Sequence, residues 1–396
     1  MKNHVSRAAI ALVLTSCGVA TVRGQCSGYV LEPGPGTLTG TVSALTTWDP
    51  DGAGPLPTTV VAGGAFGGAR VMVWDGASWQ QLGPVLLGGL YALTTFNGDL
   101  VIGSTFTDAT GDYGVARWNG TAWERLGTDK GAGVTWAFTV HQGQLWAFGG
   151  SSVFRLNGTH WEEMGPFNGE YGFALTSFQG TVIAGGLLRV GTPQAGYGVV
   201  QWGGVPNVFE PVGDGWQTFV YDFATTSSGH LLAAGDGGVA EWNGTTWNSI
   251  GAAGPTRTLS RVGGLAGELV AGGTVAPYLR RWDGSSWQVL GGGVAGPQAM
   301  VSQMVAWNQD LVIGGKFTSV GGVPSGSIAR YRCVPCYANC DGSIVAPVLT
   351  ANDFQCFLNL YAAASSYANC DGSTLNPVLT ANDFQCFLNK FAAGCT

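Results

Sequence analysis

The sequence of 396 residues predicts a mainly β fold: a β-propeller of about seven blades over 25–333, followed by a small α-helical domain over 334–396. Three observations carry this prediction. Gly occurs 66 times while only 10 % of residues are charged, a composition of many tight turns around a buried core. A strand–turn–strand phrase recurs through the body at a spacing of about 40 residues, the length of a four-stranded unit. The tail repeats a different phrase, with apolar residues at helical spacing.

The first residues read as an export signal over 1–24. Lys2 and Arg7 give a basic start, Ala8 to Leu14 a short apolar run, and Val22-Arg23-Gly24 a cleavage site. A second reading takes Leu14-Thr15-Ser16-Cys17 as a lipobox, with a lipid on Cys17. Either way the protein leaves the cytoplasm, to be secreted or held at the cell surface. No apolar run is long enough for a transmembrane segment. Net charge is −7 and no run of Lys or Arg occurs, which makes nucleic acid and anionic membrane surfaces poor partner candidates.

The body phrase is clearest in VMVWDGASWQQLG (71–83), VARWNGTAWERLG (115–127), VAEWNGTTWNSIG (239–251) and LRRWDGSSWQVLG (279–291), and fainter in VFRLNGTHWEEMG (153–165). Alternating short strands bounded by Gly are half-buried β-strands. Asp75-Gly76 and its counterparts predict two-residue type I′ turns, with Trp74 opposite Ala77 and Trp79 diagonal to it. ALTTFNGDLVIG (92–103) predicts a second hairpin, about Asn97-Gly98. The alternative architecture is an array of β-sandwiches.

The Gly-Gly strand ends and the W-x-x-L-G strand resemble those of kelch and galactose-oxidase-type propellers, over about residues 26 to 333. That resemblance implies architecture more than activity, because propellers host many functions. Ring closure follows from alignment. Tyr331 matches Trp118 but its repeat stops early, and Cys26 to Gly34 supply the missing strand. Setting Tyr29 at the place of Trp123 brings Cys26 and Cys333 to the same turn, which predicts a Cys26–Cys333 disulfide latch.

In the tail, YANCDGSIVAPVLTANDFQCFLNLYAAASS (337–366) is followed by its near copy YANCDGSTLNPVLTANDFQCFLNKFAAGCT (367–396). Each is a loop leading into an amphipathic helix. The wording resembles the GC-type dockerin-like domain of secreted bacterial proteins, built of tandem EF-hand-like calcium loops. The resemblance implies calcium ligands at loop positions 1, 3, 5, 9 and 12: Asn339, Asp341, Ser343, Thr350 and Asp353, then Asn369, Asp371, Ser373, Thr380 and Asp383. Both loops depart from the family by a three-residue insertion and by having only two carboxylates each. The alternative is that Asp353 and Asp383 act as helix caps alone.

Seven of the eight cysteines left after cleavage lie beyond residue 332, and an even count in an oxidising compartment predicts disulfides. Repeat symmetry pairs Cys340–Cys356 and Cys370–Cys386. Cys336 and Cys395 occur once each and close the module's ends as a Cys336–Cys395 pair. A four-cysteine zinc site around Cys333-x-x-Cys336 is the alternative.

No catalytic constellation stands out. His141, His160 and His230 are scattered, no nucleophile elbow or phosphate loop occurs, and the copper site of galactose oxidase is not matched. Asp99, Glu170, Asp222 and Glu268 lie outside the turns and are the acids that could converge at the axis. Two functions compete. One is a binding or display protein, its propeller face taking a glycan or protein and its calcium-binding tail docking to a cohesin-like or cell-surface scaffold. The other is a carbohydrate-active enzyme, an O-glycosyl hydrolase in polysaccharide breakdown that carries a dockerin.

Overall fold

A computed structural model describes residues 26–86, 88–108, 111–128, 132–167, 171–190, 195–251, 253–262, 268–341, 349–374 and 376–394. The export segment and Cys17 lie outside them. The chain divides into two compact units, the larger spanning Val30–Arg332 and the smaller including Cys333–Thr396. Among the described residues no helix is long and apolar enough to cross a membrane.

Seven four-stranded antiparallel sheets make up the body. We number them as blades 1 to 7. Their first strands are Thr41–Trp48, Leu90–Phe96, Thr135–His141, Gly172–Phe178, Val220–Thr225, Thr256–Val262 and Met300–Trp307. Each first strand packs on that of the next blade, and the seventh packs on the first, so the sheets close into a ring. Apolar side chains of the second strands, such as Leu100, Ile102, Val182 and Val270, are essentially inaccessible and fill the space between blades.

The two kinds of Asn-Gly and Asp-Gly turn behave differently. Phe96 pairs with Asp99, so Asn97-Gly98 is the expected two-residue turn, both residues at positive φ (52° and 89°). In the other phrase Trp74 pairs directly with Trp79, Trp118 with Trp123, and Trp242 with Trp247. The loop is therefore four residues long, and the Trp pair is directly cross-strand, not diagonal. The cause is the Asp or Asn side chain. Asp75 Oδ1 accepts from the amides of Ala77 and Ser78 (2.8 and 2.7 Å), as Asn119 and Asp283 do in their own loops. A carboxylate that takes two amides replaces the backbone bond of a tight turn. These amide bonds hold the exposed Asp75 and Asp283 carboxyls below their ordinary values.

The second Trp of each phrase also ties its blade to the one before. Trp79, Trp123, Trp161, Trp247 and Trp287 donate from Nε1 to the carbonyls of Pro35, Leu82, Leu126, Val212 and Ile250, at 2.6–3.3 Å. Each acceptor precedes a glycine at positive φ: Gly36, Gly83, Gly127, Gly213 and Gly251. A Cβ on Gly127 would lie 2.6 Å from the Trp161 indole. The Leu-Gly ending of the phrase is thus the seat for the next blade's Trp.

Blade 7 closes as the alignment anticipates. Cys26–Pro33 is its outer strand, paired to Ile328–Pro335. The register is shifted. Gly34 N donates to Ile328 O, and the Cβ of Leu31 is what a Cβ on Gly291 would meet. Leu31, not Tyr29, occupies the place of the missing Trp. The shift reflects which side chain fits the Gly291 seat: an aliphatic residue serves where a ring is absent. Cys333 is disulfide-bonded, but its expected partner Cys26 has its side chain outside the described residues.

The tail forms two helices, α1 (Ala351–Ala362) and α2 (Ala381–Ala393). Phe357 and Phe387, both fully buried, stack at 4.2 Å, and Tyr337 stacks on Tyr367 at 4.8 Å. Each tyrosine hydroxyl donates to the other's carbonyl, so the two copies are knotted symmetrically. Cys340–Cys356 and Cys370–Cys386 bond as expected, each pinning a loop to its own helix. Cys336 is disulfide-bonded too, and Cys395 lies outside the described residues.

Candidate functional site

The axial end of the ring is built by one repeated irregularity. In every blade the first strand carries a β-bulge at its second or third residue: Ser43, Tyr91, Trp136, Phe173, Tyr221, Arg257 and Ser302. A bulged residue drops out of the ladder and its side chain is re-aimed. All seven are half-buried, and all of them lie on or line the same channel.

Four consecutive blades place aromatic rings there. Centroids are 4.3 Å apart for Tyr91–Trp136, 5.7 Å for Trp136–Phe173 and 5.3 Å for Phe173–Tyr221. A second tier follows the pleat: Tyr171 stacks on Phe173 and Phe219 on Tyr221. Blade 6 supplies Arg257, its guanidinium 3.6 Å from the Tyr221 centroid. Blades 7 and 1 supply Ser302 and Ser43 opposite. The cavity so enclosed is about 380 Å³, with Gln303, Thr274 and Met300 completing its wall. The Tyr221 hydroxyl donates to Asp236 (3.2 Å), and burial pushes that phenol up.

None of these residues was singled out by sequence reasoning. A signal was present: Ser43-Ala-Leu-Thr, Tyr91-Ala-Leu-Thr, Trp136-Ala-Phe-Thr and Phe173-Ala-Leu-Thr hold one variable residue before a fixed phrase.

The acids expected to converge are held apart. Asp99 pairs with Arg117, exposed in blade 2, and Glu268 pairs with Arg281 in blade 6. Glu170 lies outside the described residues. Asp222 does reach the channel and is the one acid among the described lining residues. Its exposed area is modest yet protein surrounds it, and both oxygens accept backbone amides, from Phe223 and Leu259 at 2.8 Å. Burial, partly offset by those bonds, pushes its carboxyl up to about 6. A raised carboxyl means the folded state binds the proton more tightly than the unfolded chain. The stabilising proton is present at low pH and lost as pH rises from about 4 through about 6. Stability of the parent should therefore fall by up to roughly 3 kcal/mol across that window relative to Asp222→Asn. Urea titrations of both proteins at pH 4 and 7 check this, and parallel pH profiles would refute it.

The histidines do not assemble either. His141 is buried against Ser177, His160 is exposed beside Thr128, and His230 pairs with Glu241.

No family model and no curated protein matches the chain. Solved structures do. The extracellular domain of a protein described as a hybrid two-component system from B. thetaiotaomicron aligns with a TM-score of 0.56 at 14 % identity, covering 77 % of this chain and 40 % of that one. Streptogramin B lyase aligns at 0.53 and 11 % identity, covering 77 % and 98 %, and YCF48, solved with a D1 peptide bound, at 0.50 and 15 %, covering 77 % and 95 %. The chain shares their β-propeller fold. It spans less than half the length of the first of these, and at such identities the likeness extends to fold alone.

Beyond the propeller, the tail loops show what their ligand candidates do. Thr350 and Thr380 cap α1 and α2, each accepting from the amide two residues on. Asp353 and Asp383, fully buried, each accept from the cap amide (2.8 and 2.7 Å) and from the amide of Asp341 or Asp371 (3.1 and 3.2 Å). The last acid of each loop therefore meets the backbone of the loop's third residue and also completes a capping box. Asn339 is buried in the first loop, and Ser343 lies outside the described residues. In the second loop Ser373 N donates to Asp371 Oδ1 (2.9 Å) and Asn369 Nδ2 donates to Ser373 O (2.9 Å). Asn369 Oδ1 is buried with no hydrogen-bond partner. A desolvated oxygen without a donor is costly unless a cation takes it. Asn369, Asp371 and Asp383, an oxygen-only set, fit a hard cation such as calcium.

Proposed function

We propose that the protein is a secreted binding module, its propeller channel mouth taking a glycan and its calcium-binding tail holding it to a scaffold or cell surface. The arc of rings carries the reading. Seven bulges aim seven side chains at one cavity, and four adjacent ones are aromatic. A sugar ring offers an apolar C–H face to such rings and hydroxyls to the serines and Gln303 opposite. The volume suits a small ligand or chain end better than a protein surface. Glycoside hydrolysis needs two carboxyls across the scissile bond, and Asp222, both of whose oxygens accept backbone amides, is the one acid among the described lining residues. Binding by the full chain to immobilised polysaccharides, lost in Trp136→Ala with unchanged circular dichroism, tests the reading. Equal retention of parent and variant would overturn it.

For the tail, Asn369 Oδ1 is the supporting observation. Calcium at millimolar concentration should raise the melting temperature of a tail transition in full-length protein, because a ligand of the folded state stabilises it by mass action. Asp383→Asn should blunt the shift. A calcium-independent thermogram would leave Asp353 and Asp383 as helix caps only. Docking of the tail to a cohesin-like partner predicts that deleting 334–396 releases the protein from cells.

A further inference from the structure

We propose that the channel mouth selects a sugar bearing a carboxylate, a uronic-acid unit of an acidic polysaccharide, with Arg257 holding the acid group. This rests on the glycan reading above and narrows it.

The argument starts from the seven bulged positions. Two are serine, four are aromatic, and Arg257 is the single charged one. Five arginines of the propeller have carboxylate partners, Arg117 with Asp99 and Glu124, Arg155 with Glu162, Arg281 with Glu268, Arg330 with Asp310, and Arg332 with Glu32, while Arg261 and Arg280 donate to backbone carbonyls. Arg257 has no carboxylate partner among the described residues. Its guanidinium lies instead on the Tyr221 ring, 3.6 Å from the centroid. The guanidinium also hydrogen-bonds the Tyr221 hydroxyl, and stacking on one face leaves its remaining in-plane N–H donors for a planar acceptor. A carboxylate has that shape. Placed beside four rings and opposite two hydroxyls, one cation calls for a ligand with an apolar face, several hydroxyls and one anionic group. A uronate has all three. The low dielectric of a half-buried channel strengthens the pairing.

The test uses full-length protein and calorimetric titration with uronate disaccharides of several linkages, each beside its carboxyl-reduced neutral counterpart. At least one uronate should bind tenfold or more tightly than its reduced form. Arg257→Gln should lower that affinity at least tenfold and neutral affinity by less, so that the preference for the acid form is lost, whereas Trp136→Ala should weaken both alike. Equal affinity for acid and neutral forms, or an Arg257→Gln protein that keeps its preference, would overturn the carboxylate inference while leaving the glycan reading intact. Preference for a sulfated sugar over every uronate would also overturn it. Binding of none of the sugars would overturn both.

Discussion

Removing residues 26–33 is expected to destabilise the propeller by more than about 4 kcal/mol, the range reached only when a core element is lost. The strand Cys26–Pro33 covers the free edge of Ile328–Pro335. It seats Leu31 against Gly291 and pairs Glu32 with Arg332 at 2.9 Å. Without it blade 7 has three strands, an exposed edge and an empty seat facing blade 6. Since whole domains are stable by only about 5–15 kcal/mol, the ring should lose most of its margin. Guanidinium unfolding followed by tryptophan fluorescence measures this, and an unchanged midpoint would show that the ring closes without its N-terminal strand. The covalent part is separable. The register set by Gly34 and Ile328 moves Cys26 opposite Cys336 and away from the Cys333 expected from alignment. Cys26 should therefore be linked to Cys336, and a Cys26–Cys333 peptide would refute that register. Cys26→Ser should cost about 2–5 kcal/mol. A Cys26–Cys395 peptide in a disulfide map would refute the latch.

Trp161→Ala should cost about 3–5 kcal/mol, the range for emptying a buried Trp site. Trp161 is 7 % exposed, pairs with Leu156 across its own hairpin, and bonds Leu126 O of the preceding blade at 2.7 Å. Gly127→Ala should also destabilise, for two reasons: φ is 103°, and the new methyl would strike the indole at 2.6 Å. Because part of that second cost is a clash with the first residue, the effects cannot add. The double variant should be more stable than the sum of the two losses predicts, by more than about 0.5 kcal/mol. Additive losses would mean that Gly127 is needed for its backbone alone and that the Leu-Gly ending is not a seat.

How far the fold was legible follows from which forces are local. The repeat length, the turn residues and the alternation of strands are written in neighbouring residues, so a closed propeller with a helical, disulfide-pinned tail could be read directly. Cys340–Cys356 and Cys370–Cys386 were readable because the tail states each twice. The turn at Asp75 was misread because the same dipeptide serves two loops. What decides between them is whether the side chain takes the amides of the residues that follow. The N-terminal strand was placed in the correct blade but two residues out of register, since aromatic likeness drew Tyr29 to a position that Leu31 fills.

The sequence by itself determined a propeller of about seven blades and their order, the completion of the last by the first strand, and the duplication of the tail, while the closed ring of seven came from the structure. Periodicity and turn chemistry are properties of the chain that need no distant partner. Tertiary structure alone decided the rest. It turned Leu-Gly and Trp into an inter-blade joint, it separated Asp99, Asp222 and Glu268, and it gathered Tyr91, Trp136, Phe173, Tyr221 and Arg257 from five blades around one axis. Those five lie about 40 residues apart, and only closing the ring and bulging each inner strand at the same point brings them into contact.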